Sequence, residues 1–278
     1  MSRVGLVVHE GRPAAVEAAE RLGAALAGDG IEVVDATVTS EGLALVVSIG
    51  GDGTFLRGAH VAAHVDAPIL GVKVGRVGFL TEAEPPAAID LVRAAVAGAA
   101  TVEERIAVIA EPEEGSAFAA QWGMNEIMVE KRARHRLVRL AVEVDGDYVT
   151  TFSADGVIVA TPTGSTAYSF SARGPIVAPD VPCLVLTPIA AHMVFDRSFV
   201  LADDQVVTLE VVGDEPGIVS ADGRESVEVP VGTRVRIRAA ERSVRFVRGA
   251  PGRGFLARVR DKFDLPGDPH DPAGVGSG

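Results

Sequence analysis

Residues 45–54 read Leu-Val-Val-Ser-Ile-Gly-Gly-Asp-Gly-Thr, an apolar run that ends in three glycines around one aspartate. The apolar run is typical of a buried strand, and residues 55–64 can form a helix after it. Glycines at the carboxyl end of a parallel strand let backbone N–H groups approach a phosphate closely. The stretch therefore predicts a phosphate-binding turn of an α/β domain, with Asp52 at its tip able to accept a proton or face a metal ion. The alternative is a tight turn whose aspartate caps the helix.

The segments around this turn repeat the same alternation of strand and helix. Three further short apolar runs predict strands, and two longer segments carry apolar residues at helical spacing. In chain order these five segments are Val4–Val8, Pro13–Ala27, Ile31–Val34, Pro68–Val74 and Pro85–Ala97. Short apolar strands separated by helices are typical of a parallel sheet covered on both faces. Residues 1–100 are therefore predicted to form a Rossmann-like α/β domain.

The pattern changes near residue 101, where helical periodicity nearly disappears. Strand-like runs follow at residues 106–110, 125–130, 137–144, 150–160, 206–212, 226–229 and 233–239. Turn signals such as Asp145-Gly146 separate them, which predicts an antiparallel β-sandwich domain over residues 101–250. Residues 251–265 are predicted to hold a final helix. The Gly-, Pro- and Asp-rich residues 266–278 are predicted to be a disordered tail.

Composition narrows the classes of function. The 278 residues carry 26 basic against 38 acidic side chains, and this net charge of −12 argues against a nucleic-acid groove binder. The single cysteine, Cys183, excludes an intramolecular disulfide and a multi-cysteine zinc site. No apolar stretch reaches the roughly 18 residues that a membrane helix needs, and the N-terminal apolar run is too short for a signal-peptide core. A cytoplasmic protein that binds neither nucleic acid nor membrane is expected.

Two further segments have the chemistry of a nucleotide site. Residues 155–168 run from a strand into a turn with four hydroxyl residues, a proline and a glycine, and such groups suit sugar hydroxyls or phosphates. The alternative is a turn whose hydroxyls bond their own backbone. Asn125 and Glu126 place an amide beside a carboxylate, which can hold the two hydroxyls of a ribose. The alternative for this pair is an exposed strand edge.

Several familiar sites are missing from the sequence. There is no Gly-Lys dipeptide and hence no Walker-type P-loop, and no G-x-G-x-x-G fingerprint follows a strand. There is no G-x-S-x-G elbow, which counts against an α/β-hydrolase. A phosphate site in this sequence therefore depends on a different arrangement, such as the glycine-rich turn at Asp52.

Taken in order, these segments resemble the NAD kinase family. The likeness covers nearly the whole chain up to about residue 265. The matching segments are Gly50–Thr54 (GGDG motif), Gly75–Thr81 (NxGxLGFLT), Asn125–Glu126 (NE), Asp155–Pro175 (DGxxxxTPTGSTAYxxSAGGP) and Phe255–Phe263 (the C-terminal helix). The first motif is shared with phosphofructokinases and lipid kinases, whereas the TPTGSTAY stretch is far more specific.

The resemblance implies transfer of a phosphoryl group from ATP or inorganic polyphosphate to the 2′-hydroxyl of the adenosine ribose of NAD, giving NADP. It implies Mg²⁺, bound mainly through the donor phosphates rather than by a protein metal site. It also implies an α/β domain followed by an all-β domain, with the last helix returning to the first domain. A homodimer or homotetramer is expected, with NAD bound between domains and partly by a neighbouring subunit. The alternatives are a lipid kinase of the diacylglycerol or sphingosine type and a non-catalytic NAD(P) sensor.

The resemblance also implies roles for particular residues. Asp52 is the expected base for the 2′-hydroxyl proton, and Phe79 is expected to pack against the adenine. Asn125 and Glu126 are expected to hold the nicotinamide-side ribose, and Asp155 to accept from the carboxamide or a ribose hydroxyl. The other expected nucleotide-binding residues are Gly51, Gly53, Thr54, Arg57, Lys73, Gly78, Thr163, Ser165, Thr166, Ala167, Tyr168, Ser171 and His192.

Some positions depart from the family's pattern. Lys73 stands where asparagine is usual, so a cation there either contacts a donor phosphate or points outward. Arg173 replaces the first glycine of the SAGGP segment. If that position needs a positive φ, arginine carries a strain of about 1–2 kcal/mol. Residues 222–224 resemble a DGQ-type turn whose third residue is changed to arginine. These departures put the donor and the rate in question more than the reaction.

Overall fold

The structure is a computed structural model that describes residues 2–75, 78–81, 83–115, 117–192, 195–249 and 254–266. The chain divides into two compact units, Met1–Glu103 with Phe246–Gly278, and Glu104–Arg245. None of the helices in the described ranges is long and apolar enough to cross a membrane. The predicted disordered tail lies outside the described residues from residue 267 onward.

The elements alternate between strands and helices up to α3, and strands dominate after it. They are β1 (Arg3–Val8), α1 (Pro13–Gly28), β2 (Glu32–Asp35), β3 (Leu45–Gly50), α2 (Asp52–His64), β4 (Ile69–Lys73), α3 (Pro85–Val96), β5 (Thr101–Arg105), β6 (Val108–Pro112), β7 (Gln121–Gly123), β8 (Glu126–Lys131), β9 (Val138–Val144), β10 (Asp147–Ala154), β11 (Gly156–Ala160), a 3₁₀ turn (Gly164–Thr166), α4 (Tyr168–Ser171), β12 (Cys183–Ile189), β13 (Phe199–Ala202), β14 (Val207–Val212), β15 (Gly217–Ala221), β16 (Val227–Val229), β17 (Arg234–Ala239), β18 (Val244–Arg248) and α5 (Phe255–Phe263).

The first unit is built on a sheet with strand order β2-β1-β3-β4-β18-β5. Strand β1 pairs in parallel with β2 and β3, and β4 pairs in parallel with β3 and β18. Every residue of β3 is buried because helices cover both faces of the sheet. Leu45 and Val47 share a core with residues of α1 and α3, whereas Val46 and Ser48 lie against Gly58 of α2. This two-sided burial explains the continuous apolar run before the glycines.

The sequence places residues 101–105 and 244–248 in the β domain, but both segments are strands of the first unit's sheet. The last helix, α5, also belongs to the first unit. Phe79 contacts Phe255 and Phe263 of this helix, with ring centroids 6.5 and 5.9 Å apart. The chain therefore leaves the first unit near residue 104 and returns to it near residue 246.

The second unit consists of two six-stranded sheets, ordered β10-β9-β14-β17-β6-β7 and β13-β12-β11-β8-β15-β16. Their pairings are antiparallel, and one apolar core contains residues of both sheets, such as Leu140 and Ile237 from the first and Ile127 and Leu186 from the second. The predicted fold class, an α/β domain plus an antiparallel β-sandwich, is confirmed.

The single strand predicted over residues 150–160 is wrong in one respect. Strand β10 ends at Ala154 and β11 begins at Gly156, and the two strands lie in different sheets. Asp155 is the residue at which the chain passes from one sheet to the other. Apolar character continues through both strands because Phe152 and Val157 are both completely buried in the shared core. Hydrophobicity therefore cannot reveal the break.

Candidate active site

The turn Gly50–Thr54, called the Asp52 turn below, joins the carboxyl end of β3 to the start of α2. Gly51 precedes the helix, and its carbonyl oxygen accepts the N–H groups of Thr54 and Phe55 at 3.0 Å each. A Cβ atom on Gly50 would lie 2.5 Å from Thr54 Oγ1, so a side chain does not fit there. A Cβ atom on Gly51 or Gly53 would meet nothing within 4 Å. These two glycines leave the space in front of the helix N-terminus open.

The carboxylate of Asp52 is fixed by the backbone of a neighbouring loop. Its Oδ2 accepts the N–H of Phe79 and its Oδ1 accepts the N–H of Leu80, both at 3.1 Å. A Cβ atom on Gly78 would lie 2.1 Å from Asp52 Oδ1, so only glycine allows this close approach. Two N–H bonds leave further lone pairs on each oxygen, so the oriented carboxylate can still accept a hydroxyl proton.

Two cavities of the first unit meet at Asp52. One has a volume of about 540 Å³ and is lined by His9, Glu10, Gly11, Arg12, Gly51, Asp52, Gly53, Thr54 and Arg57. The other has a volume of about 700 Å³ and is lined by Gly11, Arg12, Pro13, Ala14, Gly51, Asp52, Val74, Gly75, Gly78 and Lys262. Both lie at the carboxyl ends of parallel strands, the usual position of ligands in open α/β sheets. Asp52 therefore faces enough space for a donor group and an acceptor group.

Three cations line these cavities in a protein whose net charge is −12. Arg12 donates to the carbonyl oxygen of Val74 at 2.7 Å, and Arg57 donates to that of Val8 at 3.2 Å. Lys262 reaches the second cavity from α5. The guanidinium groups keep further N–H donors for an anion. Three positive side chains thus lie beside a turn whose backbone also favours phosphate.

Sequence reasoning found Thr54 and Arg57 but missed the loop between β1 and α1. His9, Glu10 and Arg12 line the first cavity, and nothing in the interpretation of the sequence singled them out. A signal was present, because Gly11-Arg12-Pro13 comes only two residues after an apolar strand. Like the Asp52 turn, this loop lies at the carboxyl end of a parallel strand, where ligands usually bind.

Lys73 and Phe79 have partners within the protein. The ammonium of Lys73 lies 3.3 Å from Glu84 Oε1, and the residues that line the two cavities do not include Lys73. This geometry favours the outward-pointing alternative for Lys73. The ring of Phe79 contacts two rings of α5, so it has an apolar surface to lie on without an adenine.

In the second unit, Asn125 and Glu126 are joined by backbone contacts to the turn at residues 161–166, called the hydroxyl-rich turn below. Thr161 donates its N–H to the carbonyl oxygen of Asn125 at 2.8 Å and its hydroxyl to that of Met124 at 2.7 Å. A Cβ atom on Gly164 would lie 2.0 Å from the carbonyl oxygen of Asn125. The exposed-edge alternative for this pair is wrong, because Asn125 is 7% and Glu126 8% exposed. Residues as far apart in sequence as Met124 and Thr161, 37 positions, therefore form one packed group.

The hydroxyl groups of this turn largely bond their own chain. The Ser165 hydroxyl donates to Pro162 at 2.7 Å and accepts the N–H of Val177 at 3.0 Å, and Ser165 is completely buried. Thr163 accepts from the buried guanidinium of Arg105 at 3.3 Å. Thr163 and Ser165 therefore stabilise the turn and offer no free hydroxyl group to a ligand. For these two residues the structure favours the alternative, in which the hydroxyls of the turn bond within the protein.

The residues that follow come nearer to the surface. Thr166 and Ala167 are half-buried, whereas Tyr168 and Ser171 are exposed. His192 is also exposed, and its backbone N–H donates to Ser153 at 2.8 Å. These residues are open to a ligand, in contrast to Thr163 and Ser165.

Glu126 carries the most perturbed carboxyl group of this region. Burial, and then the nearby carboxylate of Asp222, raise the pKa of Glu126 from its ordinary value to about 8. Glu126 Oε2 is buried and accepts no hydrogen bond from the described residues. A buried carboxylate without donors is costly, so this oxygen is ready to accept a ligand's hydroxyl groups.

Asp155 has a partner in its own chain. Its Oδ1 accepts a hydrogen bond from the Lys131 ammonium, and its side chain is 36% exposed. A ligand group that approaches Asp155 must share the carboxylate with this lysine. Lys131 is not among the predicted site residues, although it is the last residue of β8, the strand that starts at Glu126.

Arg173 stands where the SAGGP segment has glycine, and its backbone is in the left-handed conformation. Its φ is +69°, a conformation that glycine adopts without strain and other residues rarely adopt. Its N–H donates to the carbonyl oxygen of Phe170 at 2.9 Å, which ends the short helix α4. The expected strain at this position is therefore present.

Two family models match this chain, one mainly within each unit. The ATP-NAD kinase N-terminal domain matches residues 36–100, and the ATP-NAD kinase C-terminal domain matches residues 124–249. The chain belongs to the NAD kinase family. The two matches include the Asp52 turn, Asn125-Glu126 and the hydroxyl-rich turn. The interpretation of the chain as an NAD kinase is thereby confirmed, and the family gives no support to the lipid-kinase alternative.

Individual relatives agree with this assignment. NAD kinase 2 of Streptomyces avermitilis is 40% identical, over 96% of this chain and 97% of the relative. The NAD kinase of Mycolicibacterium paratuberculosis is 36% identical, over 94% and 95% of the two chains. An NAD kinase structure from Archaeoglobus fulgidus in complex with ATP is 30% identical, with a TM-score of 0.74 over 95% of this chain and 97% of that one. Yeast NADH kinase complexed with NADH has the same fold, with a TM-score of 0.85 at 20% identity over 96% and 89% of the chains.

Proposed function

We propose that this NAD kinase family member transfers a phosphoryl group from ATP to the 2′-hydroxyl of the adenosine ribose of NAD, with Asp52 as the general base. The observation that carries the proposal is the oriented Asp52 carboxylate, held by two backbone N–H groups where two cavities meet. A general base must come within about 2.6–3.2 Å of the hydroxyl oxygen, and a fixed carboxylate beside open space meets that requirement.

Asp52 takes the proton of the 2′-hydroxyl as that oxygen forms its bond to the transferred phosphorus. The phosphorus–oxygen bond to the donor breaks, and the electron pair stays on the donor's bridging oxygen. Such transfers depend mainly on positioning and on stabilisation of charge on the phosphate oxygens. The N–H groups at the start of α2 and the guanidinium groups of Arg12 and Arg57 supply this stabilisation in the first cavity.

The donor side also fits a magnesium ion. Mg²⁺ prefers oxygen ligands and is usually held by one or two carboxylates together with substrate phosphates. Glu10 and Asp52 line the same cavity as the two arginines, so carboxylate oxygens and space for phosphates occur together. When bound, the ion offsets negative charge on the donor phosphates. The described residues contain no group of three or more His, Cys, Asp or Glu that could hold a metal on its own.

A third cavity supports ATP rather than bare polyphosphate as the donor. It has a volume of about 310 Å³, and it shares Glu10 and Arg57 with the first cavity. Its walls come from the apolar ends of β1 and β2, followed by Asp35 and Thr37. Apolar walls suit a base, and an acidic residue at the end of β2 suits ribose hydroxyls. A polyphosphate chain has neither a base to pack against the apolar walls nor ribose hydroxyls to bond the acidic residue.

The second unit supplies the groups proposed to bind NAD. Asn125 and Glu126 offer an amide and a carboxylate oxygen without donors, which suit a ribose diol. Asp155 is proposed to accept from the carboxamide, in competition with Lys131. Tyr168, Ser171 and His192 are proposed to face the nucleotide because they are exposed, together with the half-buried Thr166 and Ala167.

We also propose a homodimer or homotetramer that works in the cytoplasm. The edge strand β13 carries Val200, which is 60% exposed, and Phe195 nearby is 42% exposed. An edge strand with exposed apolar side chains is a ready surface for a second chain. Size-exclusion chromatography with light scattering measures the state directly, and a monomer at micromolar concentration would contradict this proposal.

The decisive experiment is an end-point assay with NAD, Mg²⁺ and ATP, in which an NADP-specific dehydrogenase detects the product. Parallel samples replace ATP with polyphosphate or omit the metal. NADP formed from ATP only with metal supports the proposal, and NADP from polyphosphate at an equal rate contradicts the role of the third cavity. Thermal stabilisation by NAD without NADP formation from either donor would favour the sensor alternative.

A further inference from the structure

The turn after β15 brings a second carboxylate against Asn125 and Glu126. Asp222 Oδ2 accepts the N–H of Met124 at 2.8 Å. Asp222 Oδ1 accepts the N–H groups of Asn125 and Glu126 at 2.7 and 3.2 Å. A Cβ atom on Gly123 would approach Asp222 Oδ1 to 3.1 Å, so the glycine gives this carboxylate room. One side chain, 96 residues further along the chain than Glu126, thus holds three consecutive backbone N–H groups.

The backbone geometry of this turn suits an aspartate. The φ of Asp222 is +51°, and aspartate is among the few residues other than glycine that tolerate this left-handed conformation. Burial raises the pKa of Asp222, and the three N–H groups and Arg224 oppose that rise. Asp222 therefore has its hydrogen-bond partners within the protein and needs no ligand.

Glu126 is in the opposite situation. Its Oε2 accepts no bond from the described residues, although it is buried. The residues of the flanking strands that pair with this end of β8, Ala160 of β11 and Ala221 of β15, are apolar. Among the described residues, the charge that raises the pKa of Glu126 is that of Asp222, and its sign is the same as that of an ionised Glu126.

Two arginines of the second unit have hydrogen-bond partners other than Glu126. Arg224, on the same turn as Asp222, donates to the carbonyl oxygen of Trp122 at 2.5 Å. Arg105 donates to Thr163 of the hydroxyl-rich turn at 3.3 Å. Glu126 therefore combines an uncompensated buried carboxyl group with an adjacent carboxylate that is already satisfied.

We propose that Asp222 is a positioning residue for NAD: it fixes the backbone of Met124–Glu126, and its charge couples nucleotide binding to the ionisation of Glu126. The inference rests on the proposed binding of a ribose diol by Asn125 and Glu126. In the free protein near neutral pH, Glu126 holds its proton. When two ribose hydroxyls donate to the carboxyl oxygens, the ionised form is favoured and the proton leaves to solvent. Asp222 touches no nucleotide in this scheme.

Calorimetric titration with NAD, repeated in buffers of different ionisation enthalpy, counts the protons released. The wild-type protein is expected to release about one proton per NAD at pH 6.5, because Glu126 is protonated when free and ionised when bound. Glu126→Gln is expected to release none, since a glutamine does not titrate. Absence of proton release from the wild-type protein would overturn the coupling.

Asp222→Asn tests the assignment directly. We expect its Kd and KM for NAD to rise roughly tenfold, with kcat within about threefold, because the segment loses part of its support but the reacting groups are unchanged. Fewer protons are also expected to be released, because loss of the charge lowers the pKa of Glu126. A merely structural role would weaken binding and leave the proton count unchanged.

Asp145→Asn is the matched control. Asp145 also precedes a glycine, has φ of +53° and accepts a backbone N–H, that of Val206, at 2.9 Å. It lies on the β9–β10 hairpin, so its variant is expected to match the wild type in affinity and proton release. If Asp222→Asn behaves like this control while the wild type produces NADP, the inference fails and the proposed function stands. If the wild type produces no NADP, the proposed function itself fails.

Asp222→Ser keeps an acceptor for the backbone N–H groups but removes the charge. If Asp222→Asn does not fold, Asp222→Ser replaces it in the experiment. The same decrease in proton release is expected. Loss of folding in both variants would assign Asp222 a structural role and overturn the proposal.

Discussion

The Asp52 turn of the first unit leaves space, whereas the hydroxyl-rich turn of the second unit fills it. Side chains on Gly51 or Gly53 would meet nothing within 4 Å, but a side chain on Gly164 would lie 2.0 Å from a backbone oxygen. The first turn faces cavities with arginines and a lysine, and the second buries its own serine and threonine hydroxyls. Glycine therefore serves access in one region and packing in the other. Mutations in the first region should change catalysis and those in the second should change stability.

Asp52→Asn is expected to give the largest effect on turnover. Loss of the base should lower kcat by at least about a hundredfold, since general-base catalysis contributes roughly 10²–10⁴-fold. NAD affinity should stay within a few-fold, because the binding groups are untouched. Steady-state kinetics and calorimetry measure the two quantities, with Asp90→Asn on the exposed side of α3 as the control. Near-wild-type turnover would show that Asp52 is not the base.

Gly164→Ala is expected to give the largest effect on stability. The new Cβ would collide with the carbonyl oxygen of Asn125, and relief requires movement of a buried backbone. We expect a loss of about 3 kcal/mol or more in the free energy of unfolding. Denaturant titration measures it. Gly23→Ala in α1, where nothing lies within 4 Å, is the control and should be neutral or stabilising. Equal stability of the two variants would contradict the packing role.

The pH dependence of stability should show the raised pKa of Glu126. Between the ordinary pKa of a glutamate and about 8, the unfolded chain is ionised while folded Glu126 keeps its proton. Stability should therefore fall as pH rises through this window, by on the order of 2–4 kcal/mol relative to Glu126→Gln. Denaturant titrations at pH 5 and pH 9 measure the difference. A difference that stays constant between the two pH values would be inconsistent with a buried, protonated Glu126.

Arg12→Ala should change the donor's KM without changing the fold. Removal of a guanidinium from the phosphate cavity is expected to raise the KM for ATP about tenfold, while the KM for NAD stays within about twofold. Arg21→Ala is the control, because Arg21 pairs with Glu17 on the exposed face of α1. If both substrates' KM values rise together, Arg12 supports the turn as a whole rather than the donor.

Arg173→Gly should give the smallest effect. Glycine removes about 1–2 kcal/mol of left-handed strain, but its greater freedom in the unfolded chain costs about 0.5–1 kcal/mol. The net stabilisation is expected to be about 0.5–1 kcal/mol, a rise of roughly 2 °C in Tm. Gly174→Ala, whose Cβ would lie 2.3 Å from Ser169 Oγ, should lower Tm in the same scan. A lower Tm for Arg173→Gly would mean that the arginine side chain offsets its strain.

Much of the fold follows from local patterns. The strands of the parallel sheet are continuous apolar runs because both faces are covered, and such runs end visibly at glycines and prolines. The apolar pattern does not predict strand β12, because Pro182 and Pro188 interrupt the run, yet Pro188 lies in a paired, buried strand. Strand periodicity does not say which sheet a strand joins, so it places β5 and β18 in the second domain although both belong to the sheet of the first unit.

The two kinds of domain, the Asp52 turn and the membership in a kinase family can be inferred from the sequence, because each depends on the pattern of contiguous residues. Which distant groups meet is seen only in the folded chain. The loop at Arg12 reaches the cavity beside Asp52, the backbone of Phe79 and Leu80 fixes the Asp52 carboxylate, and Asp222 binds Met124–Glu126. The folded chain also shows that Ser165 is buried and Tyr168 exposed, although they lie three residues apart in one motif. Burial and charge neighbours depend on how strands pack together, and no local pattern encodes that packing.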